Sequence, residues 1–198
     1  MFVTFEGLDG SGGTTQVELL ATALRAEGRD VVATREPGGT RLGERVRKLV
    51  LHGSTMSPWA EAFLFAGARA ELVEQVIRPA IERGADVICD RYLDSSLAYQ
   101  GIARGLGVER VLELNLNAIH AVLPDRTFLL LLDPAEAARR SGAAPDRIER
   151  EGDEFRAKVD GAYRELAQIF PQRIVPIDGA QPAEEIAKLV RGHLRQLP

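Results

Sequence analysis

Short runs of Val, Ile, Phe and Leu recur along the chain between longer stretches in which apolar residues return every three or four positions. The short runs read "FVTFE", "DVVATR", "DVICDR", "TFLLLLD" and "RIVPID". Each has strand length, and most are continuously apolar rather than alternating, the pattern of strands buried on both faces. The intervening stretches predict helices over Thr14 to Glu27, Arg41 to Leu51, Pro58 to Arg83, Val108 to Ala121, Asp153 to Phe170 and Pro182 to Gln196. Ser57 and Pro58 form an N-cap and first-turn pair for the long central helix, and Gly84 is its expected stop. Strand and helix alternating over the whole length predict a parallel sheet wrapped by helices, one three-layer α/β domain over residues 1–198. Ligands in such sheets gather at the carboxyl ends of the strands. Four strands end in stretches suited to that: "EGLDGSGG", "TREPGGT", "DRYLDSS" and "LDPAEAARR".

Composition narrows the partners. At 198 residues the chain can bury a core without disulfides or metals, and a net charge of −4 argues against a general nucleic-acid surface. The single cysteine, Cys89, lies inside an apolar run and reads as a small buried hydrophobe. "MFVTFEG" enters a strand directly without the pattern of a signal peptide, and no apolar run is long enough for a bilayer, so a soluble, cytoplasmic protein without membrane partners is expected. His52, His120 and His193 have no ligand-like spacing.

Candidate chemistry begins at "FEGLDGSGGTTQ". A glycine-rich turn between a buried strand and a helix lets backbone N–H groups approach an anion, and the helix N-terminus adds partial positive charge. Gly7, Leu8, Asp9, Gly10, Ser11, Gly12, Gly13, Thr14 and Thr15 are therefore expected to cradle phosphates, with the Thr14 hydroxyl offered to Mg²⁺. The pattern G-x-x-x-x-G-K-[ST] is met except at its lysine, where Gly13 stands. The missing ammonium would have followed charge onto the transferred group, so binding is expected to survive better than turnover.

With "TREPGGT", "FLFAGARAEL", "DRYLDSSLAYQG" and "PDRIERE" following in order, the chain resembles the thymidylate kinase family over essentially its full length. The resemblance implies the P-loop nucleoside-monophosphate-kinase fold with a five-stranded parallel sheet and a mobile lid, here about residues 139–152. It also implies phosphorylation of dTMP to dTDP by ATP–Mg²⁺, and a homodimer. Phe65 and Arg69, four apart on one helix, match positions that stack on thymine and donate to its O4. Arg91 suits the dTMP phosphate as a bidentate fork, and Arg35 matches a second arginine near it. Ser96, Tyr99 and Gln100 match the base and sugar contacts, Asp9 the carboxylate at the 3′-hydroxyl, and Asp90 a partner of Thr14 at Mg²⁺ or its water shell.

The lid reads "AARRSGAAPDRIERE". Related lids tend to carry further arginines where "SGAA" stands, so Arg140 and Arg147 are the expected cations for the transferred phosphoryl group, completing a catalytic set with Asp9 and Arg91. A nucleotide-binding protein that no longer turns over is the alternative consistent with Gly13.

Overall fold

The computed structural model describes residues 1–142 and 145–195. Five parallel strands, β1 (Phe2–Gly7), β2 (Val31–Arg35), β3 (Asp86–Asp90), β4 (Arg126–Leu131) and β5 (Ile174–Asp178), form one sheet in the order β2-β3-β1-β4-β5. The helices are α1 (Gly13–Ala26), α2 (Arg41–His52), α3 (Pro58–Leu72), α4 (Arg78–Glu82), α5 (Leu93–Ser96), α6 (Val108–Ile119), α7 (Pro134–Ser141), α8 (Asp153–Ile169) and α9 (Ala183–Leu194). The expected end of the last helix at Gln196 lies outside the described residues, as do Ala143 and Ala144 of the lid.

Successive strand residues feed opposite faces of the sheet. Phe2, Val87, Cys89 and Leu129 pack with Leu72, Leu97, Val111 and Leu166 on one side. Val3, Phe5, Ile88, Phe128 and Leu130 pack with Val17, Leu20 and Val190 on the other. Both faces are covered, which is why the strands read as apolar runs.

The long helix expected over Pro58 to Arg83 is interrupted. It begins as expected, the Ser57 hydroxyl accepting from the Ala60 N–H at 3.3 Å. After α3 it widens into a π-helical turn over Val73–Ile77 before resuming as α4. Pro79 has no N–H, and in a regular α-helix its ring would press on the Gln75 carbonyl; the wider turn removes that clash. Two α-helices lie outside the expected ones. One is α5 with the π-helical turn Leu97–Ala103 that continues it, and the other is α7, capped by Asp133, whose carboxylate accepts from Ala135 and Glu136. Among the described residues no helix is long and apolar enough to cross a membrane.

Candidate functional site

The site lies at the carboxyl ends of β1, β2 and β3. β1 runs into a loop that turns at Gly12, whose φ of 100° favours glycine, and delivers Gly13 as the first residue of α1. The loop packs closely on α7: a Cβ at Gly10 would collide with the Ala137 carbonyl. Gly7 to Thr15 line a cavity of about 550 Å³ together with Arg35, Glu36, Arg47, Asp90, Arg91, Arg140 and Asp146. A smaller adjoining cavity of about 90 Å³ is lined by Phe65, Ser96, Tyr99, Gln100, Pro37 and Leu51. Asp9, Glu36, Arg47, Arg91 and Asp146 belong to both and form the shared wall.

Arg91 is the centre of that wall. Its φ of 66° is unusual for a residue with a side chain and directs the guanidinium back over the loop. There it donates to Asp9 at 2.8 Å, Ser95 at 3.3 Å and Tyr163 at 3.2 Å, and stacks 5.7 Å from the Tyr99 ring centroid. Arg35 pairs with Glu44 at 3.1 Å and also faces the larger cavity. Arg47, on α2, donates to the Pro37 carbonyl at 3.0 Å and was not singled out from the sequence. Burial, and then the neighbouring charge of Arg35, lowers the Arg47 pKa. A phosphate dianion in the cavity would relieve this crowding of cations.

Asp90 accepts from the Thr14 hydroxyl at 2.6 Å, so the two expected metal partners stand side by side. This pair of hard oxygen donors suits Mg²⁺, which keeps several waters and takes its remaining ligands from phosphates. Gly13 sits against the same carboxylate: a Cβ there would meet Asp90 Oδ1 at 3.0 Å.

Two expected site arginines, Arg69 and Arg147, do not line the cavities. Arg69 does not line either cavity; it is 1% exposed beneath the smaller one. It donates to Glu36 (2.7 and 2.6 Å), Ser96 (2.9 Å), the Tyr92 carbonyl (2.9 Å) and Asn115. All its donors are thereby occupied. The residue expected at the base holds Glu36 and Ser96 in this arrangement. Arg147, expected at the transferred phosphate, lines neither cavity and is buried against Glu61 at 2.5 Å and the Val50 carbonyl at 2.7 Å. Arg140 does face the larger cavity, held by Glu136 at 2.8 Å and the Gly179 carbonyl at 3.2 Å.

Beneath Arg91 lies Glu6, buried, accepting from the Tyr92 N–H (2.8 Å), the Ser95 hydroxyl (2.6 Å) and Tyr163 (2.9 Å). Burial, helped by repulsion from Asp94 and opposed by Arg91, pushes its carboxyl up to about 7 from an ordinary 4.5. Between those values the native state holds a proton that the unfolded chain has lost. Stability therefore falls as pH rises through the window, by up to about 1.4 kcal/mol per pH unit. Urea unfolding at a series of pH values is expected to show this slope, and Glu6→Gln to lower it while leaving the share of Glu36, whose buried carboxyl is also pushed up to about 7; an equal slope in the variant would contradict the assignment.

Residues 5–190 match the family model described as thymidylate kinase. The thymidylate kinase of Bifidobacterium longum (strain NCC 2705) is 48% identical over 202 residues, covering 100% of this chain and 98% of that protein. That of Leifsonia xyli subsp. xyli is 50% identical over 198 residues, with coverages of 98% and 94%. Among solved structures, thymidylate kinase from Ehrlichia chaffeensis superposes with a TM-score of 0.79 at 35% identity, covering 96% of this chain and 98% of that one.

Proposed function

This chain belongs to the thymidylate kinase family and is a nucleoside monophosphate kinase that phosphorylates dTMP to dTDP; from that premise we propose how its site divides the work. The observation that carries the reading is the pair of cavities meeting at Asp9, Arg47 and Arg91. The donor phosphates of ATP lie on the loop Gly7 to Thr15, with Arg140 at their edge. The dTMP phosphate lies on Arg91, supported by Arg47 and Arg35. Thymine stacks on Phe65 beside Ser96 and Gln100, Tyr99 closes on the deoxyribose, and Asp9 takes the sugar's 3′-hydroxyl.

An oxygen of the dTMP phosphate attacks the γ-phosphorus of ATP, the bond to the β-bridging oxygen breaks, and ADP leaves. Such a transfer needs little covalent help from the protein, only alignment and compensation of negative charge. Thr14 and Asp90 would hold Mg²⁺, which when bound neutralises charge on the donor phosphates. Arg91 holds the acceptor phosphate against repulsion from the donor, and Arg140 supplies part of the positive charge that Gly13 does not.

We place the whole in one kinase domain, residues 1–198, with a lid over about 139–152, working in the cytoplasm as a homodimer. The dimer reading is supported by α3, where Phe63 is 59% exposed and stacks against Trp59 at 5.9 Å. A sedimentation mass of a single chain would overturn it.

The deciding experiment measures ADP formation with dTMP, dUMP and dCMP as acceptors, beside dTMP binding by calorimetry. ADP formation with dTMP is expected. Tight dTMP binding with no ADP at high enzyme concentration would instead support the binding-protein reading that Gly13 motivates, and failure to bind dTMP would overturn both.

A further inference from the structure

Glu61, on α3, lies outside both cavities and is 1% exposed, yet it gathers three side chains from separate parts of the chain. It accepts from Arg147 of the lid at 2.5 Å, from Arg104 at 3.2 Å through each oxygen, and from Gln100 Nε2 at 2.9 Å. Burial pushes its carboxyl up, but the Gln100 hydrogen bond and the two guanidinium groups outweigh that and hold it below the ordinary carboxylate range. An ionised carboxylate can only accept hydrogen bonds. It therefore dictates which end of the Gln100 amide it meets: the NH₂. The amide oxygen is left without a hydrogen-bond partner among the described residues, on a side chain that lines the acceptor cavity beside Phe65 and Ser96.

We propose that Glu61, which touches no substrate, is a positioning residue for acceptor specificity: by locking the Gln100 amide it presents a lone acceptor to the ring, selecting pyrimidines that carry an N3–H. Thymine and uracil have that donor. Cytosine has a bare N3 acceptor there, so two lone pairs would face each other, and a site built around a hydrogen bond rejects a ring that cannot make it. Without the carboxylate the amide could turn over and offer its NH₂ to cytosine. The inference rests on the dTMP reading of this cavity, and adds the reason one pyrimidine class is accepted.

The test compares dissociation constants for dTMP, dUMP and dCMP by calorimetry, and kcat/KM where turnover allows, in the unmodified protein and three variants. Glu61→Gln offers either a donor or an acceptor to Gln100, so the preference for dTMP over dCMP is expected to shrink by roughly tenfold or more, while the ratio of dTMP to dUMP stays fixed. Glu61→Asp, which keeps an acceptor-only group, is expected to retain most of the preference. Arg147→Ala removes the lid contact but leaves Glu61 ionised beside Arg104, so it is expected to affect all three nucleotides alike. Equal losses for dTMP and dCMP in Glu61→Gln would overturn the proposal, as would a collapse of the preference in Arg147→Ala. If Glu61→Gln fails to fold, Gln100→Ala replaces it: the same loss of preference is expected, and full discrimination without the amide would overturn the idea. No dTMP binding by the unmodified protein would be a different result, removing the kinase reading and this inference with it.

Discussion

Gly13→Lys raises the turnover number with ATP and dTMP by about 30- to 1,000-fold. A unit charge pair near 4 Å at an effective dielectric of about 20 interacts by about 4 kcal/mol. If roughly 2 to 4 kcal/mol of that is felt only in the transition state, the rate change follows. The backbone admits the substitution, because Gly13 opens α1 and is not among the glycines with positive φ. Its new Cβ would stand 3.0 Å from Asp90 Oδ1, so that carboxylate must give by a few tenths of an ångström. It is the end of a side chain and can do so while the loop backbone stays in place. Steady-state kinetics separate the outcomes. A lower KM for ATP at unchanged kcat would mean that the ammonium only adds ground-state binding, and the explanation of Gly13 as a catalytic deficit would fall.

Arg69→Met destabilises the protein by about 3–5 kcal/mol, the usual cost of leaving one member of a buried ion pair alone. Methionine fills the space of the stem but leaves Glu36, Ser96, Asn115 and the Tyr92 carbonyl without their shared donor. Glu36 is the worst placed, since its Oε1 already lacks a partner with Arg69 present. Burial pushes the Glu36 carboxyl up, with Arg69 opposing that shift. In the variant the opposition is gone, so the native state takes up a proton that the unfolded chain does not hold above its ordinary pKa of 4.5. The deficit is therefore expected to shrink as pH falls from 8 toward 5.5. Urea unfolding at the two pH values measures both effects. A loss below about 1 kcal/mol at pH 8 would show that the arginine is not holding this layer together.

The five strands and the glycine-rich turn into α1 were legible because their signals are local: apolar runs of strand length, glycines before a helix, a serine and proline at a helix start. Phe65 was legible for the same reason, and it does line the smaller cavity. Arg69, four residues on, is held by Glu36, a residue 33 positions earlier that helix spacing cannot reveal. The surroundings of Arg147 were hidden likewise; its partner Glu61 is 86 positions away. Glu6, Glu61 and Tyr163 went unmarked because each looks ordinary within its own strand or helix. Arg47 had only the faint signal of an arginine about two turns beyond the "REPGGT" loop. The turn Leu97–Ala103 was missed because its wider spacing matches neither the helix nor the strand period.

The crowding of Arg35, Arg47, Arg91 and Arg140 around the larger cavity also bears on how substrates arrive. The chain carries a net charge of −4, so at long range it repels both nucleotides. Six carboxyl groups, Glu6, Asp9, Glu36, Asp90, Asp146 and Glu149, line the same cavity, so the arginines act through close contact and not through a field that reaches beyond the mouth. Added salt, with a Debye length of about 8 Å at physiological strength, should therefore screen that repulsion and speed capture more than it changes release.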